Sequence, residues 1–259
     1  NSEQFQEVNI MKDERTLAFI NFYAILGALT ELCRLDKGAA KLIAGKKVAV
    51  GISVKDGPCG TLFFNDGKCT VGEGTAEADI KLPFSSCAKF NGMINGTVTP
   101  IPSRGFTKIG FLTKQFTLLT DMLTRYLRAT DSDPADPDFM RISTYLTFYV
   151  VTEAISQIGN NDPIGRASAS YIVDGTAKLA IGDEIGAGIA AKDHVLKTVH
   201  AMPEEFMSYM IFGDVELANQ LFAGKVNSVA CVGKGLIKIG GMISQVDNIN
   251  RILDRVSLY

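Results

Sequence analysis

The side chains best suited to catalysis or metal binding are scarce in this sequence. Its two histidines, His194 and His200, lie six residues apart on or beside one predicted strand. A zinc site needs about three convergent protein ligands, and no cluster of Cys, His and Asp residues supplies them. Neither histidine has a Ser or Cys partner placed as in a nucleophile elbow. We therefore predict no metal site, no cofactor and no enzymatic activity.

Two glycine-rich motifs resemble phosphate-binding loops. Gly72-Glu73-Gly74 and Gly233-Lys234-Gly235 each lack a third glycine and the strand-to-helix setting that such loops require. Both are interpreted as turns. Lys225, Lys234 and Lys238 form a local basic run, which is either the contact for an acyl headgroup or a solvated face.

The five cysteines favour a reducing compartment. Their number is odd and none form a C-x-x-C pair, which in a chain of this length is typical of a cytoplasmic protein with buried thiols. A contact between Cys59 and Cys69 across a hairpin is the alternative. Residues 1–14 are polar and partly acidic, so we expect no signal peptide.

Composition places the chain among globular proteins. Of its 259 residues, 46% are hydrophobic and 21% are charged. The formal net charge is −2. Nucleic-acid binding needs clustered positive charge, so we expect no nucleic-acid partner. The uncharged stretch Thr16 to Thr30 is shorter than the roughly 20 residues that span a bilayer. We expect a buried helix there and no integral membrane segment.

Apolar residues at helical and strand spacing are the remaining candidates for a binding site. A site for a hydrophobic ligand needs apolar lining with a few polar groups at its mouth, and flexible Met side chains suit a changeable ligand. Whether these side chains line a cavity or fill an ordinary closed core is left open by the sequence. The candidates in the first half are Phe90, Met93, Ile94, Phe106, Phe111, Leu112, Phe116, Leu119, Met122 and Leu123. Those in the second half are Phe206, Met207, Met210, Leu221, Phe222, Leu236, Met242, Ile243, Val246 and Ile249.

An internal repeat organises these candidates into two domains. Phe22-Tyr23 recurs as Phe148-Tyr149, and Lys108-Ile109-Gly110 recurs as Lys238-Ile239-Gly240. Between the halves, the Asp- and Pro-rich segment Thr130 to Pro137 predicts a linker. It also supplies a helix N-cap at Asp136. We therefore predict domains over residues 1–130 and 131–259, as expected for a tandem duplication.

Each half has the pattern of an α+β domain with helices layered on one sheet. Alternation and turn residues in the first half predict a helix near the start, a strand over Lys47 to Val54 and further strands that follow it. The later strands and helices of this half are predicted over Gly60 to Phe64, Lys68 to Val71, Asp79 to Leu82, Pro83 to Ile94 (a helix capped by Ser85 or Ser86) and Thr107 to Leu112, before a closing helix from Thr113 or Lys114.

The second half repeats the plan with a helix over Phe139 to Ile158. Its remaining predicted elements are a meander from Ser168 to Ala201 turning at Asp174-Gly175 and Asp183-Glu184, a helical segment from Pro203 to Phe222 broken near Gly213-Asp214, strands over Val226 to Cys231 and Leu236 to Gly240, and a last helix carrying Ile243 to Val256.

Several of these motifs resemble the sterol carrier protein 2 (non-specific lipid-transfer) family. In the first half the resemblance is carried by Asp66 to Val71, Ala78-Asp79-Ile80, Phe90 to Gly96, Pro100, Gly105 and Lys108-Ile109-Gly110. In the second half it is carried by Asp174-Gly175-Thr176, Met202-Pro203, Leu221 to Lys225 and Gly235 to Gly240, with an insertion around Gly213 to Glu216. At the helix-end turn, Asn95 stands where many members have Lys, and Lys225 fills that place in the second half.

The resemblance implies a mostly antiparallel five-stranded sheet in each domain, covered by helices, with an apolar tunnel between them. Such domains bind fatty acids, fatty acyl-CoA, phospholipids or sterols. The leading hypothesis is thus a non-enzymatic carrier of a hydrophobic small molecule, compatible with a homodimer. The alternatives are a structural protein whose closed cores form a pseudo-dimer, and an accessory domain pair for a lipid-processing enzyme.

Overall fold

A computed structural model describes residues 13–129 and 136–259 of the chain. Most of the predicted linker therefore lies outside the described residues. Its end is described: Asp136 caps the following helix by accepting a hydrogen bond from the Asp138 N–H, and Pro137 occupies the first turn. Both features were predicted from the sequence and are confirmed.

The first half begins with one long helix and continues into a four-stranded sheet. The helix consists of α1 (Glu14–Phe19), a π-helical segment (Ile20–Leu26) and α2 (Leu29–Leu35), and we call it the N-terminal helix. The elements after it are α3 (Lys37–Leu42), β1 (Lys47–Val54), β2 (Cys59–Asn65), β3 (Lys68–Glu73), β4 (Ile80–Phe84), α4 (Cys87–Ile94), a 3₁₀ turn (Phe106–Lys108), α5 (Ile109–Phe111), a π-helical segment (Leu112–Phe116) and α6 (Thr117–Leu127).

The second half repeats this order with additions. Its elements are α7 (Pro137–Asn161), α8 (Pro163–Ala169), β5 (Gly175–Ile181), β6 (Ile185–Lys192), β7 (Val195–Val199), β8 (Ser208–Phe212), α9 (Val215–Phe222), α10 (Ser228–Gly233), β9 (Ile237–Gly241) and α11 (Ile243–Val256).

The two sheets share strand order and strand direction. Their orders are β3-β2-β1-β4 and β7-β6-β5-β8-β9. In each sheet the first three strands form an antiparallel meander, and the fourth pairs in parallel with the first. Both sheets are thus mixed, and within the described residues the first sheet has four strands where the family resemblance implies five.

Two long helices, the N-terminal helix and α7, contribute to both hydrophobic cores. Phe22 and Leu26 pack in the first core, while Ile20 and Ala24 pack in the second. The helix α7 also contributes to both cores: Leu146 packs in the first core, and most of the other buried apolar side chains of α7 pack in the second. Because each helix has apolar residues on two faces, the halves share their interior.

The N-terminal helix is long and apolar enough, over Glu14–Leu35, to cross a membrane by length and composition. In this structure 72% of its most apolar window is buried inside the protein. Asn21 of this helix is buried, and its side-chain amide donates a hydrogen bond to the side-chain oxygen of Asn91 at 2.9 Å. The segment therefore behaves as the core helix that the sequence analysis expects.

The strand predicted over Thr107 to Leu112 is wrong, because this segment is helical. The chain approaches the outer edge of β4 earlier, at Arg104, which forms a single bridge with Lys81. In the second sheet, Tyr209 pairs with Gly240 at the matching position, and Ile211 pairs with Lys238 two residues further on.

Two prolines explain why the ladder stops in the first half. Pro83 lies two residues after Lys81, and Pro102 lies two residues before Arg104, on the two segments that the bridge joins. Proline has no N–H to donate to a sheet ladder, so this pair has neither donor. The prediction that Pro83 begins a helix is also wrong, because Pro83 lies within β4 and α4 is capped by Ser86.

Three expectations for the second half also need correction. Residues 208–212 form β8, inside the segment predicted as one broken helix, because their alternating burial suits a central strand. The segment predicted as a strand over Val226 to Cys231 is instead occupied largely by α10. Asp174 precedes β5, which begins at Gly175, and the second turn of the meander falls at Asp193-His194, where both residues have positive φ.

The insertion in the second half lies later than the sequence predicts. Two residues separate β8 from α9, and two also separate β4 from α4. The halves differ instead between α9 and β9, where the second half contains α10.

A pair of glycines marks the start of the closing helix in each half. Gly105 has φ +89° and Gly241 has φ +82°. A Cβ added to Gly105 would lie 2.8 Å from the Ile80 Cα, and one added to Gly241 would lie 2.7 Å from the Ser208 Cα. Backbone conformation and close packing thus both require glycine at these positions.

Replacing Gly105 with alanine is expected to destabilise the protein by about 2 kcal/mol or more, because the new Cβ meets backbone atoms at a positive φ. Gly110→Ala is the matched control. Gly110 lies in α5 with open space around it among the described residues, so alanine should be neutral or stabilising by up to about 1 kcal/mol. Urea unfolding of both variants checks this, and a destabilised Gly110→Ala would contradict the helical assignment.

Candidate functional site

The first half contains an apolar cavity of about 560 Å³. It lies among the N-terminal helix, β4, α4, the connection that follows α4 and the closing helical region from Ile109 to Leu127. Its nineteen lining residues are Ile25, Leu26, Leu82, Met93, Ile94, Gly96, Thr99, Pro100, Pro102, Ile109, Leu112, Thr113, Phe116, Thr117, Thr120, Asp121, Leu123, Thr124 and Leu127.

The missing fifth strand helps to shape this cavity. Pro100 and Pro102 line the cavity beside Leu82 of β4, where a fifth strand would otherwise continue the ladder. The chain then turns at Gly105 into helical structure, so that Ile109 and Leu112 reach the same space. The irregular connection after α4 and the helical region that begins at Ile109 therefore form two walls of the cavity.

One wall of the cavity is polar. Thr113, Thr117, Thr120 and Thr124 recur at spacings of three and four residues, which places them on one face of the helix. Their hydroxyls donate to backbone carbonyl oxygens of the same helix, at 2.8 Å for both Thr120 and Thr124. Each hydroxyl oxygen keeps acceptor capacity. The opposite walls are aliphatic and aromatic.

The first-half candidates from the sequence divide between cavity, core and surface. Met93, Ile94, Leu112, Phe116 and Leu123 line the cavity. The others do not line it: Phe90, Phe111 and Leu119 are buried in the first core, Met122 packs against that core, and Phe106 is 64% exposed. The threonine face was not among the predicted site residues, because those candidates were apolar, although the spacing of its four threonines is visible in the sequence.

The second-half candidates divide between core and surface. Met210, Val246 and Ile249 are buried in the second core, with Leu221 and Phe222 packed against it. The remaining five, Phe206, Met207, Leu236, Met242 and Ile243, are half-buried or exposed. The segment after α9 corresponds to the connection after α4. It contains α10, whose Cys231 is buried in the second core.

A second, more polar cleft of about 740 Å³ lies between the halves. The N-terminal helix and α7 form its floor, and the edge strands β3 and β7 contribute Glu73 and residues 195–198. His200 and Glu153 also line this cleft. The described residues include no group of three or more His, Cys, Asp or Glu side chains that could hold a metal ion.

His200 lies between two glutamates from different parts of the chain. Its Nδ1 is 3.5 Å from Glu31 Oε1, and its Nε2 is 3.9 Å from Glu153 Oε2. Burial opposes the ionisation of Glu31, but hydrogen bonds from His200 and Arg34 outweigh it and lower the Glu31 pKa. Burial raises the pKa of Glu153, and its hydrogen bond from Gln157 offsets this only in part.

Comparisons with known proteins do not identify the chain. No family model and no curated protein matches it. Among solved structures, a ubiquinone synthesis protein, UbiJ-SCP2, shares 13% identity over 42% of this chain and 93% of its own, with a TM-score of 0.31. A stereoselective inverting sec-alkylsulfatase from Pseudomonas sp. shares 12% identity over 56% of this chain and 28% of its own, with a TM-score of 0.24. A double mutant of a sec-alkyl sulfatase gives 12% identity, the same coverage and a TM-score of 0.26. These scores establish no shared fold and carry over no function.

The raised pKa of Glu153 predicts a pH-dependent effect of Glu153→Gln. Wild type should lose stability relative to this variant as pH rises through the folded-state pKa of Glu153, because its buried carboxyl then ionises. The variant should therefore have a higher melting temperature at pH 7 to 8, and the difference should vanish near pH 4. Thermal unfolding across this range measures it. A variant less stable than wild type near pH 6 would show that a Glu153–His200 ion pair stabilises the fold instead.

Proposed function

We propose that this protein is a non-enzymatic carrier that binds a hydrophobic ligand in the apolar cavity of its first half. The observation that carries the proposal is the cavity itself. Its volume of about 560 Å³ lies within the range of small-molecule sites, roughly 300–1,000 Å³. Its walls combine apolar side chains with a few polar groups, which is the composition expected of such a site. Each buried methylene of a ligand would contribute about 0.8 kcal/mol to binding.

We further propose that the chain is a tandem of two sterol-carrier-like domains, divided near residue 130. The common strand order, the parallel pairing of the first and fourth strands, and the paired glycines at the closing helices support a duplication. The short motifs described above support the family. Lipid transfer, a cytoplasmic location and a homodimer remain parts of this proposal. The cysteines, all within the described residues and all free, favour a reducing compartment.

In this proposal the two halves have different roles. The second half has a five-stranded sheet and a connection filled by α10, and the apolar candidates there pack into its core or lie on its surface. These features favour a structural role for the second half, which covers the helices that it shares with the first. For the second half alone, they also support the alternative hypothesis of a structural protein with a closed core.

Filling the cavity tests the carrier function. Thr120 lines the cavity and its side chain bonds only to the backbone of its own helix in the described structure, so Thr120→Phe should occupy ligand space and leave the fold intact. We expect affinity for a fluorescent hydrophobic probe such as Nile red to fall about tenfold or more, equivalent to about 1.4 kcal/mol. Fluorescence titration measures this.

Ser244→Phe is the matched control, because Ser244 is exposed on the closing helix of the second half. It should bind the probe as wild type does. Equal binding by wild type and Thr120→Phe, or organic extracts of the purified protein that contain no lipid together with no probe binding, would refute the carrier function.

A further inference from the structure

The cavity carries a charge pattern that restricts the head group of its ligand. Of its nineteen lining residues, Asp121 is the one with an ionisable side chain, and none is Lys, Arg or His. Asp121 is exposed, at the rim where the threonine face meets solvent. An amphiphile that buried its chain among the aliphatic walls would therefore place its head group near a carboxylate and several hydroxyl oxygens.

Two nearby cations have partners outside the cavity lining. Lys108 forms an ion pair with Asp79, with Nζ and Oδ1 2.9 Å apart. Arg125, one turn after Asp121, holds its guanidinium over the Phe139 ring, 5.1 Å from the centroid. Neither residue lines the cavity. The described structure thus offers an anionic head group no cation among the residues that form the site.

The threonine hydroxyls favour donors over acceptors in the ligand. Thr117 donates to the Leu112 carbonyl at 2.9 Å, and Thr120 and Thr124 also donate within the helix. Their protons are therefore already used, while their oxygens keep lone pairs. A group that brings its own N–H or O–H can be satisfied here. A carboxylate or phosphate brings only acceptors, gains no hydrogen bond from these hydroxyls, and places its negative charge beside Asp121.

We propose that the cavity selects an amphiphile whose head group donates hydrogen bonds and is not anionic, an alkyl amine or an alcohol, with Asp121 as the residue that prefers the amine. This inference rests on the proposed carrier function. It excludes free fatty acids, acyl-CoA and anionic phospholipids as preferred ligands, although the family resemblance includes them. The inference thus narrows the class of lipid from the electrostatics of the site.

Competition with three ligands of equal chain length tests the selection. Hexadecylamine, 1-hexadecanol and palmitate are each titrated against Nile red bound to the full-length protein at pH 7.4, below the concentrations at which they aggregate. We expect the amine to bind at least tenfold more tightly than palmitate, with the alcohol between them. Asp121→Asn should remove the advantage of the amine over the alcohol. Asp121→Lys should reverse the order of amine and palmitate.

Asp254→Lys is the control for the change in net charge, because Asp254 is exposed on α11, outside the cavity. It should keep the wild-type order of ligands. Palmitate binding as tightly as the amine, or an order unchanged in Asp121→Lys, overturns the inference while leaving the carrier function in place. Absence of any Nile red binding by the folded wild-type protein instead overturns the carrier function, and the inference with it.

Discussion

A β-ladder grows only where each new pair of residues can exchange backbone hydrogen bonds, and this constraint separates the two halves of the protein. In the second half, β9 pairs along the whole of β8. In the first half the corresponding pairing is the isolated bridge between Lys81 and Arg104, and the residues beyond it on the two segments include Pro83 and Pro102, which have no N–H. The sheet stops at β4, and the chain that would have formed a strand becomes part of a cavity wall. Pro102, one of these two residues without an N–H, lines the candidate site.

The shared interior of the halves allows this local irregularity. Both the N-terminal helix and α7 have side chains in the two cores, so each half is supported by apolar contacts that do not depend on a fifth strand. Such contacts contribute about 25 cal/mol per Å² of buried apolar surface, whereas each ladder hydrogen bond contributes about 1 kcal/mol net. Since stability is supplied at the centre, the first half can keep an unfilled space at its edge.

Local patterns predicted those parts of the fold that local forces decide. The alternation of β-branched residues predicted β1 with its observed bounds, Lys47–Val54, and the serine before α4 was recognised as a cap. The segment around Lys108 failed, because its match to Lys238-Ile239-Gly240 ignored the prolines that precede it. Strand β8 was missed because Pro203 suggested a helix start, whereas its pairing with β5 and β9 is non-local. Five of the ten candidates predicted in the first half line the cavity. Which five do so depends on the π-helical segment and on tertiary packing, and residue spacing alone predicts neither of these.

The polar wall shows how a cavity can be selective without a buried charge. Burying a polar group that lacks a partner costs free energy, and a threonine avoids this cost by donating to a carbonyl of its own helix. Thr120 and Thr124 do so at 2.8 Å, so an empty cavity leaves none of their protons unpaired. A ligand that supplies a donor gains hydrogen bonds to the remaining lone pairs, whereas an anionic ligand gains none and meets Asp121 as well. Discrimination in such a site combines the hydrogen bonds that the preferred head group gains with the repulsion that the wrong one meets, and both effects are strongest where water is excluded.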